Sequence, residues 1–319
     1  MSNALQTDPA TGGAVRLMHS AVIRASGPDA AAFLHGQLTN DFTGLGLGEA
    51  RLAAYCSAKG RMLASFVGFK HRHDEIWLAG RAELVPATLK RLRMFVLRAK
   101  LQLAEGGDDA MLLGLAGDPV TRLTPAASSM AVWSRRDHDG GHLVRLPDAV
   151  GVPRWLWAGS ATQAESVLAA LPPLALELWD WLEVRSGVAP IVGATVEAFV
   201  PQMLNYELLG GVNFQKGCYP GQEIVARSQY RGTLKRRAAL LHAEVSLQSG
   251  QEVWWSGDAA QPSGLVALAA AAPAGGWDAL VELKLTALDG GTLHLGAVDG
   301  PPLAVLPLPY ALPREPATA

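Results

Sequence analysis

Cys218 stands in the run Lys216-Gly217-Cys218-Tyr219-Pro220-Gly221-Gln222-Glu223, the stretch whose residue types and spacing speak most directly of chemistry. Glycines at 217 and 221 and the proline at 220 predict a tight turn with a preset backbone, and Gln222-Glu223 predicts the opening of a helix. A helix N-terminus carries partial positive charge, and Lys216 and Arg227 supply cations nearby. Such surroundings favour the thiolate, the nucleophilic and metal-ligating form of cysteine. The competing reading is a small side chain filling an apolar hole, the commoner fate of a free cysteine. Cys56, the second of two cysteines, lies between Tyr55 and Ser57 in an apolar strand pattern and reads as packing. Two cysteines without a CxxC pair exclude a disulfide framework and a Cys-rich zinc site, and fit a reducing, cytoplasmic setting.

Other polar groups carry weaker signals. His71 and His73 lie two apart at a predicted hairpin end, but no further ligands can be placed beside them, so a solvated turn is the better reading and no metal site is expected. Gly44-Leu45-Gly46-Leu47-Gly48 neither follows a buried strand nor opens a helix, which excludes a dinucleotide fingerprint. Lys59 and Arg61 occupy a turn, where either an anionic ligand or plain solvent would suit them. Arg227, Arg231, Lys235, Arg236 and Arg237 form a local basic cluster that could meet an acidic tail, an RNA or an acidic client surface.

The elements that must position these groups follow from periodicity. Pro28 opens a helix on which Phe33, Leu34 and Leu38 recur, running out near Thr39-Asn40-Asp41. Strands are predicted at 51–57 and 62–70 around the turn Ala58-Lys59-Gly60-Arg61, with a short one at 76–79. A helix over 82–97 places Leu84, Val85, Leu89, Leu92, Phe95 and Val96 on one apolar face. Strands at 100–104, 111–115, 130–133, 143–146 and 155–158 then mix with helices at 162–171 and 174–185, an α+β pattern. Beyond Gly232 the strand runs 234–245, 252–255, 265–269, 279–286 and 293–298 predict a small barrel or sandwich. The proline-rich 301–319 reads as an extended strap ending in a disordered tip.

Composition agrees with this organisation. The 319 residues, 49% apolar and 18% charged with a formal net charge of −2, suggest two domains and exclude both disorder and a basic surface spread over the whole molecule. No secretory signal is read in the first twenty residues, and no apolar run reaches the length of a membrane span, so a soluble protein without membrane contact is expected.

The segment Lys216 to Glu223 resembles the K-G-C-Y-x-G-Q-E signature of the YgfZ family, folate-binding proteins related to the T-protein (aminomethyltransferase) of the glycine cleavage system. The mitochondrial iron–sulfur assembly factor of that family is similar in its Cys motif. Upstream, Phe33-Leu34-His35-Gly36-Gln37-Leu38-Thr39-Asn40-Asp41 resembles the family's F-L-x-G-Q-x-T-N-D block. Phe199-Val200-Pro201-Gln202, with Asn205, Leu208, Gly210 and Gly211, resembles its approach to the Cys motif, so the likeness covers about residues 20 to 312.

The resemblance implies a multi-subdomain, aminomethyltransferase-like α+β fold. Residues 1–230 would form a folate-binding region around a central cleft, 231–312 a C-terminal β-barrel and 313–319 a disordered tail. It implies a cytoplasmic, monomeric accessory factor that binds tetrahydrofolate and serves the assembly or repair of iron–sulfur client proteins, including tRNA-modifying enzymes, with at most a weak RNA contact. Cys218 would be the reactive group. Trp179, in preference to Trp181, would stack on the pterin, the competing reading being that both are core or domain-interface anchors, and Gln37, Asn40 and Asp41 would lie in the cleft with Gln222, Glu223 and Arg227. Arg185 stands where the transferases carry a folate-facing glutamate, reversing the charge, and could instead attract the folate glutamate tail. Ala64 and Ser65 stand where the transferases carry aspartates, and neither can supply a negative charge to a cationic intermediate. Aminomethyl or other one-carbon transfer is therefore the alternative function, and a structural tRNA-binding module using 231–237 is a third.

Overall fold

Alternation of apolar side chains along short strands sets most of the architecture. The computed structural model describes residues 12–230 and 234–313. In chain order, β1 (Gly13–Arg16) and β2 (Ser20–Ser26) lead into helix α1 (Ala30–His35). Next come β3 (Ala50–Cys56), β4 (Met62–Arg72), β5 (Glu75–Arg81), α2 (Val85–Arg93) and β6 (Gln102–Glu105). They are followed by β7 (Met111–Ala116), α3 (Asp118–Leu123), β8 (Arg135–His138), β9 (Gly141–Ala149), β10 (Val152–Gly159), α4 (Ala161–Ala170), α5 (Leu176–Arg185) and α6 (Gln222–Tyr230). The last strands are β11 (Arg236–Ala243), β12 (Glu252–Trp255), β13 (Gly264–Ala271), β14 (Trp277–Lys284), β15 (Leu293–Leu295) and β16 (Pro302–Leu306). No helix among the described residues is long and apolar enough to cross a membrane.

Two compact units share the chain in alternating segments. The first takes Met1–Ala31, Gly44–Arg51 and Val67–Trp179, the second Ala32–Thr43, Leu52–Phe66 and Asp180–Ala319. One five-stranded sheet has the order β1-β7-β10-β9-β8 and another β3-β4-β5-β2-β6. In the first of these, Leu113, Leu115, Leu143, Trp155 and Trp157 project from one face onto Val120 of α3 and Ala164 and Val167 of α4. Helix α4 opens one residue before the expected 162, on a capping box at Ser160. Ser160 Oγ accepts from the Gln163 N–H while the Ser160 N–H donates to Gln163 Oε1 at 3.0 Å, an arrangement worth about 1 kcal/mol.

In the second unit, the closed barrel β11-β14-β13-β12-β15-β16 buries Leu241, Val253, Val266, Val281 and Leu303. The strap expected from 301 is in part a sixth strand. Pro302 sits at its first position, where a missing N–H is tolerated, and Leu303 fills the barrel while Leu240 pairs with Leu306 to close it. The expected tail at 313–319 lies, after Pro313, outside the described residues.

Two further expectations are corrected. No strand forms over 130–133. Helix α2 ends at Arg93 rather than 97, because the N–H groups of Met94, Phe95 and Val96 donate to Arg91, Leu92 and Arg93 in three-residue steps. Three residues per turn instead of 3.6 rotates the apolar stripe off its face, and Phe95 is left 43% exposed.

His71 is likewise not a solvated turn residue. Its ring stacks on Trp77 with centroids 4.3 Å apart, and its Nδ1 lies 2.6 Å from Nε2 of buried His142. His142 Nδ1 lies against both the Arg135 guanidinium and the Asp137 carboxylate, the latter at 3.1 Å, so cation and anion act on the same ring nitrogen. Burial, reinforced by Arg135 and His71 and opposed by Asp137, holds His142 down to about 4. The unfolded chain therefore binds a proton at His142 that the folded chain refuses between about pH 6.5 and 4, and stability falls as pH falls through that window. Urea unfolding of the wild type should lose up to about 3 kcal/mol from this site across the window, and His142→Gln should show a flatter acid limb. An unchanged acid limb in that variant would refute the assignment.

Candidate functional site

The Cys motif is built on the C-terminal end of α1. Helix ends leave carbonyls without partners, and Lys216 Nζ donates to one of them, His35 O, and to Leu38 O just beyond the helix at 2.9 Å. The ammonium also sits 4.6 Å from the centre of the Tyr219 ring. Burial pushes Lys216 down to about 8, with the Asp41 carboxylate and the Cys218 sulfur acting in the opposite sense. Lys216 thus fixes the chain two residues before Cys218, whose thiol is exposed.

Three consecutive polar residues hold this framework. The Thr39 N–H donates to Ala54 O, its Oγ1 donates to Gly211 O at 2.6 Å and accepts from the Ala54 N–H, and its carbonyl accepts from the Asn213 N–H. Asn40 Nδ2 donates to Leu52 O and Gly210 O, while its Oδ1 accepts from the Asp41 N–H. Asp41 Oδ1 lies 2.8 Å from His35 Nδ1 and accepts from Thr43 Oγ1. Asn40 is 4% exposed with both amide protons used, so it organises the loop. The His35–Asp41 pair had no signal of its own in the sequence, although Nε2 of His35 lies against the backbone of Gly217.

Glycines let the motif close on the turn before β4. Gly221 has φ +80°, and a Cβ there would stand 2.4 Å from Ser57 O and 2.6 Å from the Gly60 Cα. Gly60, at φ +70°, faces Ile224 in the same way. Helix α6 opens at Gln222 as expected, and Gln202 Nε2 donates to Val225 O to pin it. Gln222 is half-buried, and Glu223 and Arg227 are exposed. Cys56 is buried and its thiol is pushed up to about 12 by desolvation, which makes it inert.

Several expected ligand contacts take other roles. Trp179 is 1% exposed, with the Arg154 guanidinium 4.5 Å from its ring centre and Gly114 packed on its fused-ring face, so it presents no open face for stacking. Arg185 donates to Asp278 Oδ2 at 2.9 Å, and Trp181 Nε1 donates to the same oxygen, so the charge proposed for a folate tail is already neutralised. Two members of the basic cluster are likewise committed, while Arg227 and Lys235 stay exposed. Arg236 pairs with Glu282, buried Arg237 pairs with Glu207 at 2.7 Å, and Arg231 lies outside the described residues. Arg61 donates to Ala198 O. At the positions of the transferase aspartates, Ala64 and Ser65 are buried, and Ser65 Oγ accepts from the Ile191 N–H at 2.9 Å.

Tetrahydrofolate needs acceptors for its pterin N–H groups and cations for its glutamate carboxylates. Gln37 offers a buried Oε1 without a hydrogen-bond partner among the described residues, and Arg227 offers an exposed guanidinium. These two fit the cofactor, whereas Trp179, Arg185 and Asn40 are committed elsewhere.

No family model matches the chain. It is 31% identical over 255 residues to the tRNA-modifying protein YgfZ of Cronobacter sakazakii, covering 73% of this chain and 72% of that one. Against the protein of the same description from Klebsiella pneumoniae it is 29% identical over 311 residues, covering 92% and 91%. Among solved structures it matches the glycine cleavage system aminomethyltransferase T from Bartonella henselae with a TM-score of 0.74 at 17% identity, over 94% of this chain and 86% of that one. The fold is therefore aminomethyltransferase T-like with a closed six-stranded C-terminal barrel.

Thiol titration separates the two cysteines. Native protein should react with one equivalent of an aromatic disulfide reagent and denatured protein with two, the native equivalent vanishing in Cys218→Ser. Gly221→Ala should lower stability by about 1–3 kcal/mol in urea unfolding; an unaltered midpoint would show that the turn does not depend on the close approach to Gly60.

Proposed function

Because the chain belongs to the YgfZ family, we propose that it is a tetrahydrofolate-binding accessory factor for the assembly or repair of iron–sulfur proteins, among them enzymes that modify tRNA. The main support is an exposed Cys218 held on a rigid turn by the Lys216 anchor. A thiol that only filled a core hole would be buried, as Cys56 is. Aminomethyl transfer is the weaker reading, since buried Ala64 and Ser65 leave no carboxylate where a cationic intermediate would form, a loss worth roughly 100-fold or more in rate.

One thiolate cannot hold a cluster alone, because iron–sulfur clusters usually take four protein ligands. Cys218 therefore supplies a single sulfur, and the client supplies the rest. Lys216 contributes positive charge beside that sulfur and fixes its backbone. Gln37 would receive a pterin N–H, and Arg227 would receive a carboxylate of the folate tail. The bound cofactor supplies a reduced pterin that carries or accepts one-carbon units.

In a bacterial strain deleted for its own homologue, the wild type should restore the tRNA nucleosides whose synthesis depends on iron–sulfur enzymes, read by mass spectrometry, and Cys218→Ala should not. Full restoration by that variant would end the role given to the thiol. Calorimetry should show tetrahydrofolate binding by the wild type, weakened in Gln37→Leu; no binding by either would remove the cofactor.

A further inference from the structure

The 21 residues from 84 to 104 hold five cations, Lys90, Arg91, Arg93, Arg98 and Lys100, and no acid, in a chain whose formal net charge is −2. At Arg236 and Arg237, by contrast, neighbouring cations are matched by the carboxylates of Glu282 and Glu207. Among the described residues, none of these five takes part in an ion pair. Within the same stretch three large apolar side chains stand in solvent: Met94 at 61%, Phe95 at 43% and Leu97 at 86% exposure.

The surface is presented on a fixed backbone. The three-residue steps that end α2 carry Met94 and Phe95 outward, and the Arg93 guanidinium donates to Leu103 O at 2.7 Å, bracing the turn against the start of β6. The Lys100 N–H donates to Asp29 Oδ2 at 2.6 Å, and Gly27 lets the chain pass within contact of Lys100 O, where a Cβ would come to 2.4 Å. Exposed apolar side chains beside cations that make no ion pair mark an interaction site, and the Asp29 carboxylate at this turn is engaged by the Lys100 N–H.

We propose that the turn 93–100 is a docking surface for RNA, with Arg98 and Lys100 on phosphates and Phe95 stacked on an unpaired base of a tRNA loop. Cations track a phosphate backbone, and bases splayed from a loop stack on aromatic rings and guanidinium planes. An anionic membrane is the less fitting occupant. The apolar side chains Val85, Leu89 and Leu92 of α2 are buried in the protein's own core, which leaves no amphipathic helix face to lie in a bilayer interface. The proposal rests on the reading that this protein serves tRNA modification, and it moves any RNA contact away from the cluster at 227–237.

Fluorescence polarisation with a labelled, unmodified tRNA transcript tests it, in the full chain, from 50 to 200 mM KCl. The logarithm of affinity should fall linearly with the logarithm of salt. Arg98→Glu/Lys100→Glu should weaken binding about tenfold or more and flatten that slope, since each lost phosphate contact removes about 0.7–0.9 from it. Phe95→Ala should weaken binding about tenfold and leave the slope alone. Both variants carry changes at exposed positions, and unchanged circular dichroism and urea midpoints confirm their folding. Absence of tRNA binding by the wild type at 50 mM KCl, or equal binding by all three proteins, overturns the proposal. So does cosedimentation with phosphatidylglycerol–phosphatidylcholine vesicles that these substitutions abolish while tRNA binding persists. Restoration of tRNA modification in the deletion strain reads the broader function separately. Restored modification with substitution-insensitive tRNA binding removes the surface and keeps that function; sensitive binding without restoration supports the surface and removes that function.

Discussion

An ammonium group withdrawn from water must find oxygen, and Lys216 finds it in the carbonyls of His35 and Leu38. The His35 carbonyl is free because α1 stops after a single turn and a half, and it stops because Gly36 leads into a stretch whose hydrogen bonds run to other elements. Thr39 gives its bonds to Ala54 and Gly211, and Asn40 gives its own to Leu52 and Gly210. The same four residues therefore end a helix, join it to β3 and receive the loop that carries Cys218. Removing any of these contacts would leave buried polar groups unmatched, at a cost of about 1–3 kcal/mol each, and would release the thiol from its place.

Charge follows a second pattern. In the second unit most guanidinium groups near the candidate site are turned to structural use: Arg237 and Glu207 neutralise each other in the core, with Arg237 also donating to Asn205 Oδ1. Asn205 in turn donates to Ala238 O and, through the Tyr310 hydroxyl, shares in holding the end of the chain to Gly187 O. Desolvation raises the Glu207 carboxyl while Arg237 opposes the rise. Breaking such a buried pair from one side leaves an uncompensated charge, so its two members are bound to be kept or lost together.

Local rules made much of this legible in the sequence. Apolar periodicity announces α4, and Gly217, Pro220 and Gly221 announce the Cys-bearing turn, because each acts on its immediate neighbours. Neighbours alone mark Cys56 as packing, whereas for Cys218 they leave a reactive and a buried thiol balanced until the family resemblance is added. Long-range pairing was not legible. Nothing near Arg185, Arg236 or Arg237 in the chain reveals that Asp278, Glu282 and Glu207 will meet them. Trp179 reads equally as a platform or an anchor until Gly114 and Arg154 arrive on its two sides. Phe95 was misplaced because periodicity cannot sense a change from four-residue to three-residue hydrogen bonding, and β16 was missed because proline dominates the composition around it.

The closure of the barrel by β16 bears on how the chain is made. Strand β11 pairs with β14 on one side and β16 on the other, so when it leaves the ribosome neither neighbour yet exists. Its run Ala238-Ala239-Leu240-Leu241 is buried in the finished barrel, and until synthesis passes Leu306 it carries an open apolar edge of the kind that recruits foreign strands. Closure of the barrel therefore waits on the last strand of the chain to form, and β11 gains its second neighbour only then.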